Sequence, residues 1–77
     1  MNNQIILRFY VVATKQMFEV FFDTRLSFNE NFDLLSKIYD YKLNRNNYIV
    51  DDDRRALARD VPLKLFHFKL FTTLCIY

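Results

Sequence analysis

The sequence predicts an α+β fold: a mixed sheet of four to five strands with one helix packed across one of its faces. Three observations carry that expectation. Apolar residues alternate with a two-residue period in Gln4–Val12, in Met17–Asp23 and again in the closing run Thr72–Tyr77. Between about Asn29 and Tyr41 the period lengthens to three and four residues. One helix cannot bury both faces of a sheet, so it covers one.

The chain has 77 residues, enough for one domain spanning 1–77. A domain of this size buries only about 60% of its unfolded surface, so its core must be dense. Nine Phe and five Tyr meet that need, since aromatic rings bury large areas with few rotatable bonds. There is no Gly. Backbone positions with positive φ must therefore use tolerant residues, for which Asn44, Asn46, Asn47 and Asp51 to Asp53 are the expected suppliers.

Taken in order, the odd positions Ile5, Leu7, Phe9 and Val11 form the inward face of a first strand, with Ile6, Arg8, Tyr10 and Val12 outward. Ala13–Gln16 is a short polar link. In the next strand Phe18, Val20 and Phe22 alternate with Met17, Glu19, Phe21 and Asp23, which makes the pair a β-hairpin. The helix that follows places Phe32, Leu35 and Ile38 or Tyr39 toward the sheet. Ser27 with Glu30 fits a capping box, and Asn29 is the alternative cap. Lys37 and Lys42 lie toward its C-terminal end, the sense the helix dipole favours. Tyr48-Ile49-Val50 is a short strand stopped by Asp51-Asp52-Asp53, residues that bond their own backbone in turns. Ala56-Leu57-Ala58 supplies a further very short strand. Asp60 and Pro62 introduce a single helical or 3₁₀ turn, with Phe68 tucked inward. The closing strand should lie parallel to the first, between it and the third. Leu74 and Ile76 should then face Phe32, Leu35 and Ile38.

That order of elements is similar to the β-grasp of ubiquitin, most closely where Leu57, Leu63, Phe66, Phe68, Leu74 and Ile76 follow the ubiquitin family's apolar spacing. Arg25-Leu26-Ser27, followed at matching intervals by Phe32, Leu35 and Ile38, resembles the YukD/EsaB family of small bacterial ubiquitin-like proteins associated with type VII secretion. The segment Ala56 to Tyr77 resembles that family's ending. The resemblance implies a non-conjugating protein-binding module on the cytosolic side of a secretion system, with secretion-system components as partners. Two departures stand out. Lys69-Leu70-Phe71-Thr72 occupies a region where both families commonly carry a Gly, so Phe71 needs a different turn or is exposed. Asp51 to Asp53 lie where ubiquitin's receptor-binding patch needs aliphatic residues, so ubiquitin's receptors are not carried over.

Functional chemistry is sparse. Conjugation requires a flexible extension ending in Gly-Gly, and the sequence ending at Tyr77 is expected not to act as a modifier. Asp51 to Asp53 resemble a hard-cation cluster only loosely: consecutive turn positions should point apart, and no spaced Glu follows, so no metal site is assigned. Cys75 and His67 are too few for zinc, and nothing fixes them as nucleophile and base. No catalytic residue or cofactor is assigned. Arg54, Arg55, Arg59 and Lys64 are the densest basic region, offset by neighbouring acids, and the net charge is only +2. Nucleic acid is accordingly not an expected partner. One cysteine suits a reducing compartment. The start lacks a signal-peptide pattern and the apolar run Ile5–Val12 is too short to span a bilayer, so a cytoplasmic protein without membrane insertion is expected.

The remaining signal is the aromatic surplus. Ile6, Tyr10 and Val12 on the first strand and Met17 and Phe21 on the second share the outer face of the hairpin, which one helix leaves bare. These are the candidate protein-interface residues. The alternative function is self-association into a homodimer through that face or an edge strand, or a generic ubiquitin-like adaptor outside secretion.

Overall fold

The computed structural model describes residues 3–68 and 72–77. Phe71 and its neighbours Lys69 and Leu70 lie outside the described residues. The first hairpin comprises β1 (Gln4–Val11) and β2 (Gln16–Asp23), paired antiparallel in unbroken register from Gln4–Asp23 to Val11–Gln16. The helix α1 (Phe28–Leu35) follows, then β3 (Ile49–Val50), β4 (Ala56–Leu57), a 3₁₀ turn at Leu63–Leu65 and β5 (Thr73–Ile76). The sheet order is β2-β1-β5-β3-β4, with β5 parallel to β1 and antiparallel to β3. The closing strand is therefore central, as its position in the chain predicts. The fold is α+β with a five-stranded mixed sheet and one α-helix among the described residues, an arrangement consistent with a β-grasp.

The core is built around Phe9, which is fully buried at the middle of β1. Its ring centroid lies 5.6 Å from Phe18, 5.5 Å from Phe22, 6.2 Å from Phe28 and 5.2 Å from Phe32. Most of these rings meet tilted or edge-on, the geometries an aromatic quadrupole favours. Phe28 extends the cluster to Phe66 and Phe68 under the 3₁₀ turn. Leu74 and Ile76 close it from the centre of the sheet, both buried.

Ser27 is the N-cap: its Oγ accepts from the Glu30 N–H at 3.1 Å, and the Glu30 carboxylate accepts from the Ser27 N–H at 3.1 Å. This decides between the two caps that the sequence allows. Asn29 has a different task. Its side-chain oxygen accepts from Arg59 Nε at 2.9 Å, and its N–H donates to the Arg59 carbonyl at 3.0 Å. The Arg59 guanidinium also reaches the carbonyls of Asn44 and Asn47 at 2.9 and 2.6 Å. Arg59 thus ties the helix start to the loop before β3, in place of the pairing with nearby acids that the charge pattern suggests.

The helix is shorter than its periodicity predicts. After Leu35 the backbone tightens: Lys37 donates to Leu34 and Ile38 to Leu35, an i→i−3 pattern, while the Ser36 hydroxyl donates to the Asp33 carbonyl at 2.8 Å. The chain turns away before Ile38 can reach the sheet, and that side chain is 89% exposed, contrary to its expected place against Leu74 and Ile76. Tyr39 and Tyr41 return instead, their rings 5.5 and 5.8 Å from Phe18. Lys37 and Lys42 consequently lie beyond the last helical turn.

Positive φ also falls elsewhere than expected. Lys15 (φ 59°) closes the hairpin loop and Arg54 (φ 63°) closes the β3–β4 turn. Lys15 is the last residue before β2 and Arg54 the second-last before β4, both in the left-handed region. In the second turn Asp51 stands earlier, its Oδ1 accepting from the Asp53 and Arg55 amides at 3.0 and 2.9 Å. Asp51 bonds the turn; Arg54 bears its strain.

Candidate functional site

The sheet has two unlike faces. The helix covers one, and register fixes what lies on the other, because residues paired across strands share a face. On the hairpin Ile6 pairs with Phe21, and Tyr10 with Met17. Between these pairs Arg8 faces Glu19, with their charged atoms 3.6 Å apart. The row through Tyr10 continues to Cys75 on β5, to Val50 on β3 and to Ala56 on β4. One step along β1, Val12 donates its N–H to Ile76 and lies beside Tyr77. Tyr77 exchanges backbone hydrogen bonds with Tyr48 at 3.1 and 2.9 Å. Their rings stack at 5.2 Å with an interplanar angle of 14°.

The structure therefore brings Ile6, Tyr10, Val12, Met17 and Phe21 onto one continuous face. Ile6, Met17 and Phe21 are 58%, 58% and 65% exposed, while Tyr10 and Val12 are half-buried. Sequence reasoning missed the other half of this surface, Tyr48, Val50, Cys75 and Tyr77. The signal was available: Cys75 and Tyr77 occupy the alternate positions of the closing strand, and a strand between the first and third must carry the hairpin's outer face onward. The charged side chains on the hairpin's part of the face are partnered, Arg8 with Glu19 and Asp23 with Arg25.

A concavity of about 280 Å³ lies between the β3–β4 turn and the segment after the 3₁₀ turn, lined by Asp51 to Asp53, Arg55, Phe66 and His67 among others. The Asp51, Asp52 and Asp53 carboxylates each offer an oxygen within 4.8 Å of the others. The expectation that they point apart is thus incorrect, because the turn curls them together. Asp51 Oδ1 is nonetheless occupied by two backbone amides, and the other two carboxylates are exposed. His67 lines this cleft while Cys75 sits on the outer sheet face, so the fold does not set them as a catalytic pair.

At the hairpin's open end, Asp23 pairs with Arg25 at 2.7 Å. The Arg25 side chain and its backbone N–H both donate to the carboxylate, which lowers its pKa to about 2. Behind it stands Asn31, a buried helix residue. Asn31 Oδ1 accepts the Asp23 N–H at 2.8 Å, and Asn31 Nδ2 donates to the Asp23 carbonyl at 3.0 Å and the Ser27 carbonyl at 2.9 Å. One side-chain amide thereby takes the place of a neighbouring strand at the end of β2. Among the described residues no helix is long and apolar enough to cross a membrane. No protein-family model matches the chain, and no curated protein matches it.

Proposed function

We propose that the chain is a protein-binding module built on a ubiquitin-like β-grasp, and that it binds through the outer face of its sheet. One observation carries this reading: Tyr10, Val12 and Met17 run into the stacked Tyr48 and Tyr77 as an apolar, aromatic surface that the helix does not cover, with exposed Ile6 and Phe21 beyond the Arg8–Glu19 pair. Contiguous apolar patches of more than a few hundred Å² are uncommon on proteins that work alone. Tyrosine suits such a surface, since it offers a large rigid ring and a hydroxyl that remains content in water. The proposed mode is non-covalent, and no catalytic, metal or cofactor residue is assigned.

The resemblance to the YukD/EsaB family supports a setting on the cytosolic side of a type VII secretion system, with a component of that machinery as the partner. The test is binding of the purified chain to each cytosolic secretion component in turn, with Ile6→Ser/Tyr10→Ser as the control. Both positions lie on the outer face, so the variant should keep its far-UV circular dichroism and lose at least tenfold in affinity. Binding that survives the substitutions would remove the face as the site. Failure of every component to bind would remove the secretion setting.

A further inference from the structure

A different surface, the open edge of β2, carries an inference that does not depend on what covers the outer face. Strand alternation fixes which backbone groups point at this edge. The Thr24 N–H donates to the Asn3 carbonyl at 2.7 Å, so these residues form a hydrogen-bonded pair. In an antiparallel ladder such pairs recur at every second residue, here Ile5–Phe22, Leu7–Val20, Phe9–Phe18 and Val11–Gln16. The Val12 N–H, bonded to Ile76 on the other side of β1, agrees with that phase. Met17, Glu19, Phe21 and Asp23 therefore aim N–H and C=O away from β1. Asn31 takes both groups of Asp23. Among the described residues no strand pairs with the outward groups of Met17, Glu19 and Phe21.

Of the usual protections of an edge, only one charged side chain, Glu19, stands within the open stretch. β2 runs eight residues in unbroken register, with no bulge and no Pro, Gly or Lys. The opposite edge, β4, has two residues.

We propose that β2 pairs antiparallel with β2 of a second copy of this chain, with the twofold axis through Glu19. The length of the open edge selects this register. Met17 then meets Phe21 of the second copy, Glu19 meets Glu19 and Phe21 meets Met17, so every open N–H and C=O of the stretch is used. The pairing stops where Asn31 closes the edge. An axis through Val20 would instead set Met17 against Asp23, whose groups are already bonded. Charge is also self-matched. Glu19 against Glu19 alone would repel, but each carboxylate has Arg8 of its own chain beside it at 3.6 Å, so the cluster at the axis is neutral. A foreign strand would have to supply its own match to that pair.

The short ladder makes this a weak, concentration-dependent dimer. Sedimentation from about 10 μM to about 1 mM should show mass rising from monomer toward dimer, a range that suits weak association. Amide exchange at Met17, Glu19 and Phe21 should slow in step. Glu19→Pro places the ring at an N–H that serves no internal bond. It should keep its circular dichroism and stay monomeric throughout. Glu19→Lys, which leaves the backbone intact and puts only positive charge at the axis, should weaken dimerisation at least tenfold. A strict monomer over the whole range overturns the proposal, as does a dimer that persists in both variants. A dimer lost in Ile6→Ser/Tyr10→Ser but retained in Glu19→Pro would place the second copy on the sheet face and equally overturn it.

Discussion

The two ends of the sheet are built on different principles. At the hairpin end, β1 and β2 pair over eight residues each, and their inward side chains feed the aromatic cluster around Phe9. At the other end, β3 and β4 pair over two residues each, and the turn between them is held by the Asp51 carboxylate and strained at Arg54. One end is held by packing, the other by local hydrogen bonds. A chain of this size can concentrate its burial in one place and finish the rest of the sheet with short pieces, provided the central strand links them. Ile49 and Ile76, both buried, make that link across β3 and β5.

The sharpest way to break this contrast is a pair of truncations. Phe9→Ala should cost about 3–5 kcal/mol, because it empties the centre of four rings. That is comparable to the whole stability of a small domain, roughly 0.05–0.15 kcal/mol per residue. Leu57→Ala, at a half-buried position on β4, should cost only about 1 kcal/mol. Equal losses in urea denaturation would show that the two ends share the load. An effect smaller than that of Phe9→Ala is expected at the junction of helix and hairpin. Asn31→Ala leaves the Asp23 N–H and C=O without their partner and should cost about 1–3 kcal/mol. Its signature is faster amide exchange at Asp23 beyond what the global loss explains. The smallest effects are gains. Lys15→Gly and Arg54→Gly relieve left-handed backbone and should each stabilise by about 0.5–1 kcal/mol in thermal melts. A loss at either site would mean that the loop needs the side chain.

Much of this architecture was legible in the sequence, and the parts that were not share a cause. Period-two alternation found the hairpin and the closing strand because each has one buried face, and Ser27 with Glu30 marked the helix start because that chemistry is local. The end of the helix was not local. Ile38 continues the apolar spacing, yet the i→i−3 bonds at Lys37 and Ile38 turn the chain before that residue is used. Nothing in the apolar spacing of the helix singles out Asn31. It is buried because the Asp23 backbone needs both halves of its amide. The candidate interface was half visible for a similar reason. The hairpin's outer residues follow from two adjacent strands, whereas Tyr48 joins Tyr77 only through the sheet order.

The central place of β5 has a consequence for how the chain comes to be folded. Arg8 to Val11, near the beginning, pair with Thr73 to Ile76, near the end. The hairpin and helix precede β5 in the chain, so the middle of the sheet stays vacant until β5 docks. Until then the flank of β1 later occupied by β5 is an unfilled slot beside the aromatic cluster. Contacts so distant in sequence form late and slowly, so folding is expected to finish when β5 slides into the gap.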